Sequence, residues 1–249
     1  AVRHSVTKFS SLHFVASEIY RKRVIQLGEN PSRVFNVGGL GVDAIGTIKL
    51  LSKKEIQQKL KINLCLKSLI ITYHSATLQR ETTQEDISEL LLSLEKLKDT
   101  TLIITLPNSD PDNYKIISSL RSFANKNKNV YLFKSLGQLN YYSLLAIVDG
   151  VVGNSSSGLL EVPSFKKGTI NIGDRQKGRL KAKSIIDCNS NSDSITKAIS
   201  FLYSEEFQKE LQNVKNPYGK GGASQNIFNI LKKMSLRNLI QKKFYDIGK

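Results

Sequence analysis

Gly150-Val151-Val152-Gly153-Asn154-Ser155-Ser156-Ser157-Gly158-Leu159-Leu160-Glu161-Val162 is the stretch on which the reading of this chain turns. The apolar run from Val148 to Val152, broken by Asp149-Gly150, reads as a short strand, and it stops at a glycine-bounded serine turn. The helix-like Leu159-Leu160-Glu161-Val162 follows. A strand that ends in such a turn before a helix presents backbone N–H groups, hydroxyl donors and a positive dipole end, which together suit an anion such as a diphosphate. Serine also caps ordinary helices, so the turn alone supports a plain N-cap equally well. Position favours the anion site, because ligands of open α/β sheets collect at the carboxyl ends of the strands.

Outward from this turn, short β-rich runs alternate with helical patterns. Strands are expected at Leu12–Val15, Val34–Val37, Leu69–Thr72, Leu102–Leu106, Val130–Phe133, Gly150–Val152, Thr169–Ile172 and Ile185–Asp187. Ile87, Leu90, Leu91, Leu94 and Leu97 step by three and four and lay one apolar stripe on a helix. Ser52-Lys53-Lys54-Glu55 has capping-box spacing and opens another. Such alternation implies parallel strands joined by crossover helices, a doubly wound α/β domain in which the six strands from Leu69 onward share a sheet. Leu12–Val15 and a helix from Glu18 to Leu27 have too few neighbours for a sheet of their own and read as the end of a preceding domain. Gly38-Gly39-Leu40-Gly41 is either a turn or interdomain hinge or a phosphate loop, and it lacks the full spaced dinucleotide fingerprint.

The 249 residues are 40% hydrophobic, enough for well-packed cores. No apolar run approaches the roughly 20 residues of a membrane helix. The opening Ala1-Val2-Arg3-His4 has no signal-peptide pattern and no initiator Met, which leads to the expectation that the chain begins inside a longer one. Cys65 and Cys188 form no spaced motif, fit a reducing cytoplasm and read as core residues. With 37 Lys+Arg against 21 Asp+Glu the formal charge is +16, which favours anionic partners. Part of the surplus lies between Lys166 and Lys183 and part in the tail, where Lys232, Lys233, Arg237, Lys242 and Lys243 read as a solvated face.

Several side chains fall where a nucleotide would lie. Glu161, a little under two helical turns after Ser155, can offer a carboxylate to vicinal ribose hydroxyls, which it accepts as a pair. Its plain alternative is a solvated helix glutamate. Arg175, in Gly173-Asp174-Arg175-Gln176-Lys177-Gly178-Arg179, reaches the same sheet edge, where a guanidinium fork grips phosphate or simply meets water. His74 follows the strand Leu69–Thr72 and can bind a phosphate oxygen or shuttle a proton, or be incidental. Asn108, in Pro107-Asn108-Ser109-Asp110-Pro111, is turn chemistry that sits near a ligand by position. No Cys/His/carboxylate spacing suggests a metal.

Together these stretches resemble the hydrolysing UDP-N-acetylglucosamine 2-epimerases of sialic and legionaminic acid synthesis. The resemblance covers Val2-Arg3-His4-Ser5-Val6-Thr7-Lys8, Leu12-His13-Phe14, Tyr73-His74 with Thr77-Leu78, Pro107 through Pro111, Gly153 through Glu161, and Asn171 through Arg179, which span nearly the whole chain in order and spacing. It implies a glycosyltransferase-B-like enzyme of two Rossmann-like domains, of which residues 1–40 are the end of the first and the hinge, 41–225 the UDP-binding second, and 226–249 a helical tail. It further implies that Ser155 and Ser156 hold the diphosphate and Glu161 the ribose. Arg175, His74 and Arg3 would take further substrate oxygens, with Asn108 nearby and the backbone of Lys134 to Leu136 at the uracil edge. Ser11 departs from a histidine common in relatives, and Ser75-Ala76 from a common Pro-Val.

The implied reaction eliminates UDP across C1–C2 and adds water to the glycal with inversion at C2. It needs no cofactor and no metal, but it does need a base, an acid and neutralisation of the leaving diphosphate. The proton-moving carboxylates are expected before Ala1, so the chain is expected to be inactive alone, with His74 as its candidate catalytic group. The expected partners are UDP-N-acetylglucosamine or a related UDP-sugar and, at full length, further copies of the same chain, in the cytoplasm, with no membrane and no nucleic acid. A glycosyltransferase of the same architecture would use the same diphosphate edge. A basic nucleic-acid-binding module is the other alternative, and it lacks aromatic platforms and a recognisable binding motif.

Overall fold

The structure, a computed structural model, describes residues 2–75, 83–107, 113–235, 237, 239 and 241–246. Backbone contacts divide the chain into one unit of residues 1–47 and 216–249 and another of residues 48–215. Residues 41–47 and 216–225, assigned by the sequence reading to the 41–225 domain, therefore belong with the first forty residues and with the tail. Hydrogen bonds explain this grouping: the Gly39 amide donates to the Tyr218 carbonyl (2.7 Å), and the Asp43 carboxylate accepts from the amides of Ala223 and Ser224.

In the first unit, strand β1 (His13–Val15) runs parallel to β2 (Val34–Asn36), with the helix Glu18–Gln26 between them, capped by Ser17. The Gly38–Gly41 stretch is a turn into the short helix Leu40–Asp43, and the Gly39 amide already has its protein acceptor. The helix Ala223–Lys233 packs against that short helix. Lys242 departs from the expectation of a solvated tail: it pairs with the buried Glu29 carboxylate at 2.7 Å and donates to the carbonyls of Thr7, Lys8 and Ser10. Those carbonyls close the helix Val2–Phe9 at the end where a cation is favoured.

The second unit holds six parallel strands: β3 (Lys67–Thr72), β4 (Thr100–Thr105), β5 (Val130–Phe133), β6 (Gly150–Gly153), β7 (Gly168–Ile172) and β8 (Ile185–Cys188). Their spatial order is β5-β4-β3-β6-β7-β8. Leu69, Ile71, Leu102, Ile104, Val152, Ile170 and Ile172 share one buried cluster with Ile87, Leu90 and Leu94 of the helix Thr83–Glu95. Side chains on the helices Tyr114–Lys126 and Ser192–Leu202 complete that layer. Ile70, Ile103 and Val151 are one residue out of phase, so they point to the opposite face, and they too are buried. Burial on both faces is what a doubly wound parallel sheet requires, and it makes these strands continuous apolar runs. The Ser52–Glu55 capping box forms as the spacing predicts.

Cys65 is a correction to the sequence reading. It is exposed, in the loop between the helix Lys53–Leu60 and β3, with its amide bonded to the Thr101 hydroxyl. Cys188, at the end of β8, is half-buried, and burial pushes its thiol up to about 12.

Candidate functional site

The strand order reverses between β3 and β6: successive strands lead away to one side through β4 and β5, and to the other through β7 and β8. Connections leaving such a switch point diverge, which opens a crevice at the carboxyl ends of the two central strands. A cleft of about 820 Å³ lies there, lined among others by His74 after β3, Lys134 and Leu136 after β5, and Ser155, Ser157 and Glu161 after β6.

Two devices hold its floor. Gly153 sits at φ +139°, and a Cβ at this position would collide with the Thr72 carbonyl, so only glycine lets β6 close on β3. Asn154, 3% exposed, then bridges the two strand ends: its Oδ1 accepts from the His74 amide (2.8 Å) and its Nδ2 donates to the His74 carbonyl (2.9 Å). An asparagine amide offers an acceptor oxygen and a donor nitrogen side by side, so it satisfies one residue's backbone N–H and C=O together, which an ionised aspartate, having only acceptors, cannot. The Asn154 carbonyl in turn accepts from Arg175 Nη1 (2.9 Å) and Gln176 Nε2 (2.7 Å), anchoring the loop after β7 beside the serine turn.

The turn ends in one helical turn, Ser157–Leu160, followed by a 3-10 turn at Val162–Phe165 that carries Pro163, so the expected helix is short. Among the described residues, no acceptor takes the amides of Ser155 or Ser156. These orphan donors are what the sequence pattern predicts at this turn. Glu161 is half-buried; desolvation raises its pKa above the ordinary carboxylate value, and a hydrogen bond from Ser157 partly offsets this. Burial raises the pKa of Tyr141 as well, leaving that phenol neutral.

The second unit thus brings together His74, Ser155 and Glu161 in one cleft, with Arg175 anchored at its serine turn and the segment from Lys134 to Leu136 opposite. Ser156 starts the helical turn and is not among the cleft's lining side chains. Arg3 belongs to the first unit, exposed on the helix Val2–Phe9. Asn108 lies outside the described residues, as do Ala76 and Thr77-Leu78. Ser11, the departure from histidine, donates to the Leu239 carbonyl at 2.9 Å. Sequence reasoning assigned no role to Asn154, Gln176, Tyr141 or Ser157. A buried asparagine directly after an apolar strand was a readable signal; Gln176 among exposed cations carried none. No group of three His, Cys, Asp or Glu residues suited to a metal occurs among the described residues, and no described helix is long and apolar enough to cross a membrane.

Comparison with known proteins gives a consistent result. The sequence profile of the UDP-N-acetylglucosamine 2-epimerase family matches residues 1–232. The GDP/UDP-N,N'-diacetylbacillosamine 2-epimerase (hydrolyzing) of Campylobacter jejuni is 42% identical over 249 residues, 99% of this chain and 64% of that protein. The polysialic acid biosynthesis protein P7 of Escherichia coli is 38% identical, over 99% of this chain and 63% of its own length. In fold, the chain is similar to S. aureus MnaA, solved with UDP, at a TM-score of 0.73 and 20% identity, over 98% of this chain and 64% of that one. The chain therefore spans a little under two thirds of the length of these relatives, and its fold is the Rossmann-like one of the glycosyltransferase-B-like epimerases.

Proposed function

This chain belongs to the UDP-N-acetylglucosamine 2-epimerase family, and from that premise we propose that the cleft above β3 and β6 holds the UDP half of a UDP-sugar that undergoes hydrolysing 2-epimerisation. The observation that carries the reading is the meeting, at the sheet's switch point, of two orphan amides with a carboxylate one short helix away. Ser155 and Ser156 would receive diphosphate oxygens on their N–H groups, with the Arg175 guanidinium beside them. Glu161 would accept both ribose hydroxyls, and backbone groups of residues 134–136 would meet the uracil edge. That the S. aureus relative was solved with UDP supports the ligand class.

In the proposed reaction a base removes the C2 proton as the C1–O bond to UDP breaks, leaving a C1=C2 glycal. Water then adds its hydroxyl to C1, and a proton reaches C2 from the opposite face. The contribution of this chain is chiefly to the first step: cationic and N–H donors stabilise the charge that builds on the departing diphosphate. His74, which lines the cleft after β3, would donate to a phosphate oxygen or move a proton. The sugar is N-acetylglucosamine or a 4-acetamido-6-deoxy relative, which share the same UDP half.

Calorimetric titration of UDP, UMP and uridine against the full chain tests the reading. Glu161→Ala is expected to weaken all three by about tenfold to a hundredfold, the value of a charge-assisted hydrogen-bonded pair of about 1.5–3 kcal/mol. Arg175→Ala is expected to weaken UDP more than uridine. Unchanged UDP affinity in both folded variants would reduce the serine turn to a helix cap.

A further inference from the structure

Hydroxyl groups meet in pairs along the cleft. Tyr141 and Ser157, with oxygens 2.5 Å apart, tie the helix Gly137–Ile147 to the short helix Ser157–Leu160. Thr72 and Thr105, with oxygens 2.6 Å apart, tie the last residues of β3 and β4, which stand opposite each other in register. By strand alternation the two threonines share a sheet face with Ile70 and Ile103. Those isoleucines are fully buried, whereas the threonines are only partly so and line the cleft. On its other side Thr72 is in register with Gly153, so no side chain of β6 stands beside it, and Ser155 follows two residues on.

The protons of this pair can be counted. Two hydroxyls carry two protons, and only one lies between them. Thr105 Oγ1 also reaches the Ile71 carbonyl, at 3.5 Å, and when it donates there Thr72 donates to Thr105. A bond of that length is at the limit of hydrogen bonding and is weak. Turning both hydroxyls gives up only this weak bond: Thr105 then donates to Thr72, and the Thr72 proton faces the cleft. An anionic oxygen is a stronger acceptor than a distant carbonyl, so its arrival favours the turned arrangement, in which hydroxyls aligned head to tail polarise one another.

We propose that Thr72 is a further donor to the diphosphate and Thr105 its positioning residue, donating to Thr72 while Thr72 donates to a phosphate oxygen. The proposal rests on the UDP reading of the cleft. It adds to the orphan amides of the serine turn a hydroxyl from the neighbouring strand, so that the diphosphate is held from both central strands of the switch point. A cross-strand threonine pair also steadies a sheet. The two roles part at the ligand, because sheet stability is indifferent to whether a nucleoside carries phosphate.

The experiment titrates UDP and uridine calorimetrically against the full chain and reads the ratio of the two affinities. Valine keeps the branched shape and strand preference of threonine without its hydroxyl. Thr72→Val is expected to weaken UDP about tenfold, the effect of one lost hydrogen bond to a charged group, and to leave uridine unchanged; Thr72→Ser, which keeps the hydroxyl, should hold the wild-type ratio. Thr105→Val should weaken UDP about threefold, the effect of one neutral hydrogen bond, and should add nothing in the Thr72→Val background, because Thr105 acts only through Thr72. If Thr72→Val keeps the wild-type ratio while Arg175→Ala lowers it, the pair is a sheet staple alone: the proposal is overturned and the UDP reading stands. A loss in Thr72→Val with none in Thr105→Val would strike out the positioning role. If wild type binds UDP no more tightly than uridine, the cleft holds no diphosphate, and both readings fall together. Thr72→Ala, read in the same way, takes the place of the valine variant if that one does not fold.

Discussion

At the scale of single residues, Asn154 is bonded through both its main chain and its side chain. Its own amide reaches the Thr72 carbonyl at 3.2 Å, its side chain brackets the His74 peptide, and its carbonyl takes Arg175 and Gln176. It does not line the cleft itself, yet three of the proposed ligand groups (His74, Ser155 and Arg175) take their places from it. Asn154→Ala leaves the His74 N–H and C=O without their partners, and part-buried backbone groups abandoned in this way cost about 1–3 kcal/mol. Urea denaturation is expected to record a loss of that size, and UDP titration a parallel loss in affinity. Unchanged stability and affinity together would show that the two strand ends hold their positions without the bridge.

At the scale of elements, the strands were legible because both faces of the sheet are buried, so each strand is written as an apolar run bounded by turn residues, and the eight expected strands all form to within two residues of their expected ends. The serine turn was legible because glycine and serine are required locally, by backbone angle and donor supply. What could not be read depends on partners distant in sequence. Nothing around Asp43 in Gly41-Val42-Asp43-Ala44 shows that its carboxylate receives the first amides of a helix some 180 residues on. The hydroxyl of Tyr141 is likewise invisible in Asn140-Tyr141-Tyr142-Ser143, which reads as one more partly apolar helix face. The helix Ala223–Lys233 starts at Gly222, which offers no side chain, so Asp43 acts as its cap from outside the helix. Asp43→Ala is expected to cost about 0.5–2 kcal/mol, the range for a lost N-cap, and to fray the first turn of the helix. Hydrogen exchange at residues 223–226 measures the effect directly; protection equal to wild type would mean the cap is dispensable.

At the scale of the whole molecule, the Glu29 cluster of the first unit and Glu161 of the second respond to acid in opposite senses. In the first unit Glu29, 2% exposed, meets Lys8 at 2.8 Å, Lys242 at 2.7 Å and His13 at 2.9 Å. Burial alone would raise its pKa, but the hydrogen bonds from Lys242, Lys8 and His13 prevail and lower it. Burial, joined by the charges of Lys242 and Lys8, lowers the His13 pKa against the raising effect of Glu29, and Asp43 is lowered chiefly by its bonds from Ser224. A depressed pKa means that the folded form binds fewer protons than the unfolded chain, so each of these groups contributes stability that is lost on acidification. His13 begins to act as pH falls past its ordinary 6.5, and Glu29 and Asp43 follow below their ordinary 4.5 and 3.8. In the second unit Glu161 has a raised pKa, so its folded form binds a proton more readily than the unfolded chain, and acid relieves its burial cost. Acidification from pH 7.5 to 5 should therefore weaken protection in peptides from residues 2–47 and leave the sheet of residues 67–188 comparatively unaffected, in hydrogen exchange corrected for intrinsic rates. His13→Gln removes the group that titrates in this range and should flatten the response. Equal loss in both units would place the acid-sensitive step outside the Glu29 cluster.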